Sequence, residues 1–292
     1  VFPVHNRLED TQAFLDSLSG QTVSNFQLVI CDDGSTDGTA AYLKENHPEV
    51  VVLEGDGNLW WTAGINRCIR HVLRICTPDD FILTLNNDAI LPANYIEKKL
   101  QRSLSLPGAI IGSLCTYSND RSLIETSGYR MDFKKCVSVQ LDKPGSKRTE
   151  AHVGLKEVTH LPGKGVMFPV KVFSEIGLYD EDHLPQYHAD TDLVLRAGEF
   201  GYKVYVDYDT ELMSIVNTNN MVLPEHEITL RGVVSTFLGP YSINNIAVRR
   251  HFAKKHFPGR EARYLLTTYF KIIGGFLIRY LKYQRYRLGN RL

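Results

Sequence analysis

The first 90 residues alternate short apolar runs with stretches of helical periodicity. The apolar runs end near residues 4, 31, 53 and 85, and polar residues follow several of them directly. Strands that alternate with helices predict an α/β fold with a mainly parallel central sheet flanked by helices. In such an open sheet, ligands bind at the carboxyl ends of the strands. The polar residues after the strands are therefore the first functional candidates.

Hydrophobic periodicity predicts the individual elements. We expect helices over residues 8–20, 39–46, 64–76 and 192–200, and strands over 26–31, 50–53, 81–85 and 202–206. Residues 134–157 are polar and predict a hairpin or a mobile loop. From about residue 226 the chain is helical, aromatic and basic in pattern. The sequence thus predicts a catalytic domain over 1–225 and a C-terminal helical extension over 226–292.

The second strand ends in Asp32-Asp33-Gly34-Ser35-Thr36-Asp37. Adjacent carboxylates at a strand end can accept hydrogen bonds from a base imide and a ribose hydroxyl. Glycine permits a tight turn, and a hydroxyl residue can cap the next helix. The alternative is an ordinary strand-to-helix turn with a capping residue.

The strand over 81–85 ends in Asn86-Asn87-Asp88. A carboxylate at a strand end is a hard oxygen ligand suited to Mg²⁺ or Mn²⁺, the ions that usually hold diphosphate groups. The alternative is a plain Asn/Asp turn. Lys164 lies between two glycines, which lets its ammonium approach an anion such as a diphosphate, although the Walker pattern is absent.

Two further segments carry candidate side chains. Residues 57–66 hold both tryptophans of the chain, Trp60 and Trp61. Adjacent indoles point apart, so we expect one to pack in the core and the other to face a sugar or a base. In the segment 187–193, one of Asp190 and Asp192 can act as a general base while the other caps the helix or pairs with Arg196. A simple capping cluster is the alternative.

In their order and spacing, these motifs resemble the family 2 glycosyltransferases of GT-A fold, from Val1 to about Asp207. The Trp-Trp loop is similar to that of a rhamnosyltransferase-like subgroup. The resemblance implies an inverting glycosyltransferase that moves a sugar from a nucleotide donor to a hydroxyl of a glycan or lipid-linked saccharide in cell-surface polysaccharide synthesis. It implies a dTDP- or UDP-sugar as donor, with the donor sugar itself left open.

The resemblance also assigns roles to residues. It makes Asp190 the catalytic base and Asp88 the ligand of a divalent cation, Mg²⁺ or Mn²⁺. It places Tyr187, His188 and Asp192 on the acceptor side. The residues that it implies for nucleotide-sugar binding are Pro3, Val4, Asn6, Arg7, Asp32, Asp33, Trp61, Gly64, Asn66, Asn86, Asn87 and Lys164.

Two positions depart from the family pattern. Asn86 replaces the first carboxylate of the DxD motif, and Ala189 replaces the glutamate that usually precedes the base. These departures bear on metal dependence more than on the reaction, and they keep a degenerate, non-catalytic glycan- or nucleotide-binding module as an alternative. A nucleotidyltransferase is a second alternative. The segment 3–7, Pro-Val-His-Asn-Arg, argues against it because no Gly/Arg-rich phosphate loop stands there.

The formal net charge of zero hides an asymmetry. From Arg249 to Leu292 there are twelve Lys/Arg residues and one acidic residue, Glu261. A basic, aromatic-rich helix over 264–287 predicts contact with an anionic membrane surface. A helix packed on the catalytic domain or across a homodimer is the equal alternative. No nucleic-acid-binding motif accompanies the charge, so we expect no nucleic-acid partner.

Five cysteines, at 31, 68, 76, 115 and 136, have no CxxC spacing. Their odd number and irregular spacing argue against a zinc site or a disulfide scaffold and favour a reducing compartment. No run of about 20 apolar residues predicts a membrane span. We therefore expect a cytoplasmic protein, peripheral at the inner face of the membrane. Val1 lies in mid-strand by pattern, so we expect further residues before it.

Overall fold

The computed structural model describes residues 1–215, 230–239 and 241–289. The chain divides into two compact units. The first contains Val1–Arg130, Val139–Pro185 and Ala189–Val216, and the second contains Met131–Ser138, Gln186–His188 and Asn217–Leu292. The predicted boundary at 225/226 lies outside the described residues and stays a prediction.

A three-stranded parallel sheet opens the first unit, in the order β1-β2-β3. Its strands are β1 (Phe2–Val4), β2 (Val29–Asp32) and β3 (Val51–Glu54), and its helices are α1 (Leu8–Ser19), α2 (Thr39–Asn46) and α3 (Trp60–Val72). Phe2 and Phe14 meet edge to face in the core between β1 and α1, with ring centroids 4.9 Å apart. The predicted α/β class with a parallel sheet is confirmed here.

The first unit also contains an eight-stranded mixed sheet. Antiparallel β12 joins β4 and β6, whereas β13 runs parallel to β6 and also pairs with β5 and β11. The strands are β4 (Phe81–Thr84), β5 (Ala89–Ile90), β6 (Ile110–Tyr117), β7 (Asp120–Thr126), β10 (Ser146–Lys147), β11 (Leu155–Glu157), β12 (Val166–Pro169) and β13 (Val204–Ser214). A separate two-stranded sheet is formed by β8 (Tyr129–Asp132) and β9 (Val137–Gln140).

Three helices accompany the mixed sheet: α4 (Tyr95–Ser105), α5 (Lys171–Ile176) and α6 (Ala189–Phe200). The sequence pattern did not single out α4. Two predicted helices start earlier than expected, since α3 begins at Trp60 instead of residue 64 and α6 at Ala189 instead of 192. Strand β2 starts at Val29, three residues later than expected, because Phe26 is exposed and unpaired in the sheet.

The described residues of the second unit form three helices, α7 (Leu230–Leu238), α8 (Ile246–His256) and α9 (Glu261–Gly289). Asn245 caps α8, because its side-chain oxygen accepts from Val248 N at 2.9 Å. Phe257 stacks on Tyr264 with ring centroids 4.6 Å apart, which joins α8 to α9. Helical structure in the C-terminal part is thus as predicted. Within the described residues, no helix has the length and apolarity needed to cross a membrane.

Candidate active site

Asp33 organises the loop before α3. Its carboxylate accepts three backbone N–H groups, from Gly57 (2.9 Å), Leu59 (2.9 Å) and Trp60 (3.0 Å). The N–H groups of Leu59 and Trp60 are among the donors that the start of α3 would otherwise leave unpaired. A side chain 26 residues away therefore caps this helix, which explains why α3 starts earlier than the local pattern predicts. The Asp33 carboxylate therefore holds this loop in place through hydrogen bonds to its backbone.

Asp32 lies beside Asp33 at the end of β2 and has fewer internal bonds. It is buried, and its Oδ1 accepts the Ser35 N–H at 3.0 Å. Pro3 and Val4 of β1 pair with Cys31 and Asp32, and Val4 O accepts from Asp33 N at 2.8 Å. The predicted nucleotide-binding residues of the first two strands are therefore brought together at one sheet edge.

Asn6 and Arg7 continue this edge. Asn6 has a positive φ of 51°, and its side-chain oxygen accepts the Thr36 N–H at 2.7 Å. Asparagine tolerates this left-handed conformation better than most residues. Arg7 is ion-paired with Asp10 at 3.0 Å. The turn after β1 and the turn after β2 are thus tied to each other through Asn6.

Trp61 connects α3 to the end of β4. Its indole Nε1 donates to Asn86 Oδ1 at 3.1 Å, and its ring meets Tyr179 edge to face at 5.4 Å. Trp61 is partly buried, whereas Trp60 is 38% exposed. Asn86, the position that departs from the DxD motif, is thus the acceptor for this indole. An amide oxygen accepts from an indole without bringing a second charge into the site.

Gly64 and Asn66 of α3 have packing roles. A Cβ at Gly64 would lie 2.6 Å from Pro3 Cβ, so glycine allows the helix to approach β1. Asn66 is fully buried and donates to Tyr179 O (2.9 Å) and Glu181 Oε2 (2.6 Å), while its Oδ1 accepts from Tyr179 N (3.1 Å). Gly64 thus serves close packing and Asn66 internal hydrogen bonds, and the binding role of both residues stays a prediction.

Asn87 and Asp88 differ in their bonding. Asn87 is buried and donates to Thr11 Oγ1 at 3.0 Å. Among the described residues, Asp88 Oδ1 has no hydrogen-bond partner although the atom is buried. Burial raises the pKa of the Asp88 carboxyl, and the positive charges of Lys164 and Arg7 partly offset this effect. An orphaned carboxylate oxygen is costly to bury unless a cation or a ligand meets it, so Asp88 fits a hard-cation ligand.

Lys164 lies in the same charged cluster. Its ammonium donates to Ser214 Oγ at 2.6 Å and lies 3.0 Å from Glu125 Oε2. Burial by itself would lower the pKa of Lys164, but the nearby Glu125 and Asp88 carboxylates raise it overall. The ammonium therefore stays charged next to Asp88. Sequence reasoning missed Glu125, because a single glutamate in a strand gives no spacing signal.

Asp190 opens α6 against the backbone of residue 163. The Gly163 and Thr191 N–H groups both donate to its carboxylate, Thr191 N at 2.7 Å. A Cβ at Gly163 would lie 2.8 Å from Trp61 Cζ2 and 3.4 Å from Asp190 Cβ. Burial raises the pKa of Asp190, and the two N–H donors counter only part of this effect. A carboxylate with a raised pKa is a better proton acceptor near neutral pH.

The other predicted residues of this segment have mainly internal contacts. Asp192 is fully buried and ion-paired with Arg196 at 2.8 Å. Pairing with Arg196 is one of the two roles expected for whichever of Asp190 and Asp192 is not the base. His188 belongs to the second unit, where its Nε2 donates to Ile243 O at 3.2 Å. Tyr187 also belongs to that unit, and burial raises the pKa of its hydroxyl. The acceptor-side assignment of all three stays a prediction.

The first unit therefore presents several charged groups with distinct chemical capacities. Asp32 offers hydrogen-bond acceptance at the nucleotide edge, Asp88 a buried oxygen for a cation, Lys164 a permanent positive charge and Asp190 a proton acceptor. This set suits displacement at a carbon that bears an anionic leaving group.

Comparison with known proteins agrees with this chemistry. The family model described as "Glycosyl transferase family 2" matches residues 1–177. The chain is 23% identical to the succinoglycan biosynthesis protein ExoA of Rhizobium meliloti (strain 1021), over 73% of this chain and 61% of that protein. It is 24% identical to an N-acetylglucosaminyl-diphospho-decaprenol L-rhamnosyltransferase of Mycobacterium tuberculosis (strain ATCC 25618 / H37Rv), over 67% of this chain and 68% of that protein.

Solved structures share the fold. S. aureus TarS superposes with a TM-score of 0.52 at 14% identity, covering 88% of this chain and 42% of that one. GalNAc-T7, solved with UDP, GalNAc and Mn²⁺, gives a TM-score of 0.56 at 12% identity and covers 82% of this chain and 47% of that one. The GT-A fold expected from the motifs is therefore confirmed.

The contact at Gly163 generates a direct test. Gly163→Ala forces Trp61 or Asp190 to shift, and overpacking of this kind costs about 1–3 kcal/mol of stability. We expect a lower Tm and a changed emission maximum of intrinsic fluorescence, since both tryptophans of the chain lie at the start of α3. Thermal unfolding and fluorescence spectra measure both.

Gly198→Ala is the matched control. Gly198 lies in α6, the helix that starts beside Gly163, and a Cβ there meets nothing within 4 Å. Alanine should keep or raise the Tm by the helix-propensity difference of up to about 1 kcal/mol. An unchanged Tm and spectrum for Gly163→Ala would show that the close packing around residue 163 is not required.

Proposed function

The chain belongs to glycosyl transferase family 2, and from this premise we propose that it is an inverting, nucleotide-sugar-dependent glycosyltransferase of cell-surface polysaccharide synthesis. The observation that carries the proposal is the setting of Asp190, a partly buried carboxylate with a raised pKa, fixed by the Gly163 N–H beside the Trp61 ring. The chain spans about 61% of the length of the succinoglycan relative, so activity and substrates of the whole protein are part of this proposal.

Asp190 acts as the general base. It accepts the proton of the acceptor hydroxyl as that oxygen attacks the anomeric carbon and the nucleoside diphosphate departs. Direct displacement at this carbon inverts its configuration. The two N–H donors orient the carboxylate without neutralising it. General-base assistance of this kind contributes about 10²–10⁴-fold in rate.

The nucleotide of the donor lies along the edge formed by Pro3, Val4, Asn6 and Asp32. The close pairing of β1 with β2 supports this arrangement, because it brings these residues to one edge. Asp32 accepts from the base or the ribose, while Asp33 keeps the neighbouring loop in shape. The rhamnosyltransferase relative and the Trp-Trp loop favour a dTDP- or UDP-linked deoxysugar as the donor to test first.

A divalent cation, Mg²⁺ or Mn²⁺, fits this site through Asp88, whose buried Oδ1 has no internal partner among the described residues. When bound, such an ion neutralises charge that develops on a leaving diphosphate. Lys164 contributes a fixed positive charge in the same cluster. With Asn86 bonded to the Trp61 indole, Asp88 is the one charged side chain that this motif offers to the ion.

The acceptor is a glycan or a lipid-linked saccharide, and Tyr187, His188 and Asp192 lie in the segment that flanks Asp190. Asp192 contributes indirectly, since its carboxylate is held by Arg196. The transfer takes place on the cytoplasmic side of the membrane. The five free cysteines are in keeping with a reducing compartment.

Nucleotide binding is tested by thermal shift of the purified protein with UDP, dTDP, GDP and CDP, each with and without Mn²⁺. A ligand at 100 times its Kd adds about 2.7 kcal/mol to the free energy of unfolding. We expect one nucleotide to raise the Tm, Asp32→Ala to abolish the gain, and Asp88→Ala to abolish only the further gain from Mn²⁺.

The control for this screen is Asp79→Ala. Asp79 is exposed and precedes β4, at the opposite end of that strand from Asp88. This variant should respond as the wild type does. A wild-type protein that responds to none of the four nucleotides would contradict the proposal and favour a non-catalytic glycan-binding module.

Asp190→Asn separates catalysis from stability. We expect turnover to fall by about 10²–10⁴-fold. Because burial raises the folded pKa of Asp190 above its ordinary value of 3.8, the ionised carboxylate destabilises the fold once the pH exceeds that value. Asparagine removes this cost, so the Tm at pH 7 should be equal or higher. The difference should vanish below pH 3.8.

Asp192→Asn provides the contrast within the same helix. It leaves the Arg196 guanidinium, which is 17% exposed, without the fully buried Asp192 carboxylate, and breaking a buried pair costs up to about 3–5 kcal/mol. Its Tm should therefore fall at pH 7. Near-normal turnover of Asp190→Asn would exclude Asp190 as the base.

A further inference from the structure

Helix α9 exposes an unusual amount of apolar surface. Seven large apolar side chains on it are more than 40% exposed, and Phe270 reaches 82%. They are Leu266, Phe270, Ile273, Leu277, Ile278, Tyr280 and Leu281. Contiguous exposed apolar surface of this kind marks an interaction site in a folded protein.

Most of these side chains share one face of the helix. Leu266, Phe270, Ile273, Leu277 and Leu281 follow each other at spacings of three and four residues, which align side chains along a helix. We call these five residues the apolar stripe. At 1.5 Å per residue, the stripe is about 22 Å long.

A different face of α9 packs within the second unit. Phe276 is buried, and the Phe237 ring of α7 meets Tyr269 and Phe276 at centroid distances of 5.5 and 6.3 Å. The apolar stripe is therefore not the face that holds α9 in its unit. The apolar stripe remains exposed although α9 packs against α7 within this unit.

Basic residues lie on the polar side of α9, away from the apolar stripe. At about 100° per residue, Lys271 and Lys282 project about 120–140° from the centre of the stripe, whereas the Arg279 guanidinium lies over the Phe276 ring, 5.0 Å from its centroid. Glu261 is the sole acidic residue from 249 to 292. A helix with an exposed apolar face and lysines on its polar side has the pattern of helices that lie at the boundary between acyl chains and anionic headgroups.

We propose that α9 lies in the plane of an anionic lipid surface, with the apolar stripe inserted below the headgroups and Lys271 and Lys282 on the polar side, where they attract the anionic headgroups. No described helix is long and apolar enough to span a bilayer, so contact with the surface accounts for both the stripe and the charges. This interaction needs neither donor nor acceptor and is independent of the transfer reaction.

A second copy of the chain fits the same surface less well. Glu261 is the sole acidic residue from 249 to 292, so a facing copy would offer almost no acidic partner to the basic residues, and the net positive charge of both copies opposes association. A nucleic acid would leave the apolar side chains in water.

The test is flotation of the full chain with vesicles of phosphatidylcholine alone or mixed with phosphatidylglycerol. We expect binding to the anionic vesicles that weakens with salt. Phe270→Ser combined with Leu277→Ser should lower the bound fraction at least tenfold. Leu104→Ser combined with Phe200→Ser is the matched control, because these side chains are 61% and 60% exposed in the first unit, and it should bind as the wild type does.

A second variant tests the contribution of the lysines separately from that of the apolar stripe. Lys271→Ala combined with Lys282→Ala should weaken anionic binding by about fivefold per residue removed and leave the weak binding to neutral vesicles unchanged. Equal flotation of all variants would overturn the proposal. So would a dimer in light scattering that the stripe variant dissociates, because the stripe would then be covered by a second copy.

Discussion

The absence of a side chain at Gly163 allows three parts of the first unit to meet. A Cβ on residue 163 would lie 2.8 Å from Trp61 Cζ2, and the Gly163 N–H donates to the Asp190 carboxylate. Trp61 in turn fixes Asn86 at the end of β4 through its indole. Any larger residue at 163 would separate the start of α3 from the start of α6. The geometry around the proposed base therefore depends on one close backbone approach.

Buried charge is the second organising feature. Several motif residues hold the backbone of the site: Asp33 binds three N–H groups, Asn66 holds the segment around Tyr179, and Asn87 anchors α1. Asp88 keeps a buried oxygen without an internal partner among the described residues, beside the ammonium of Lys164. The residues left for chemistry are thus fewer than the motifs suggest, and the pKa values of Asp88, Lys164 and Asp190 are all raised, those of the two carboxyls by burial and that of Lys164 by nearby negative charge.

The sequence predicted the parallel sheet and the strand-end position of the polar motifs, because periodicity and turn residues are local signals. It did not predict the start of α3, since Asp33 caps that helix from another strand end. The Trp61–Asn86 bond and the Glu125–Lys164 ion pair were also missed. Both join residues far apart in sequence, and spacing carries no information about such contacts. Beyond residue 107, antiparallel pairs with β12 depend on tertiary packing in the same way.

Direct displacement at the anomeric carbon, with Asp190 as the base, fixes the stereochemistry of the product. Proton NMR of the glycoside product, formed by transfer to a saccharide acceptor, gives the anomeric configuration of the transferred sugar, which is fixed because a glycoside does not mutarotate. We expect the configuration opposite to that in the nucleotide-sugar donor. Retention of the donor's configuration would contradict direct displacement. It requires two displacements and a nucleophile that attacks the anomeric carbon, whereas Asp190, held by the Gly163 N–H, serves as a proton acceptor.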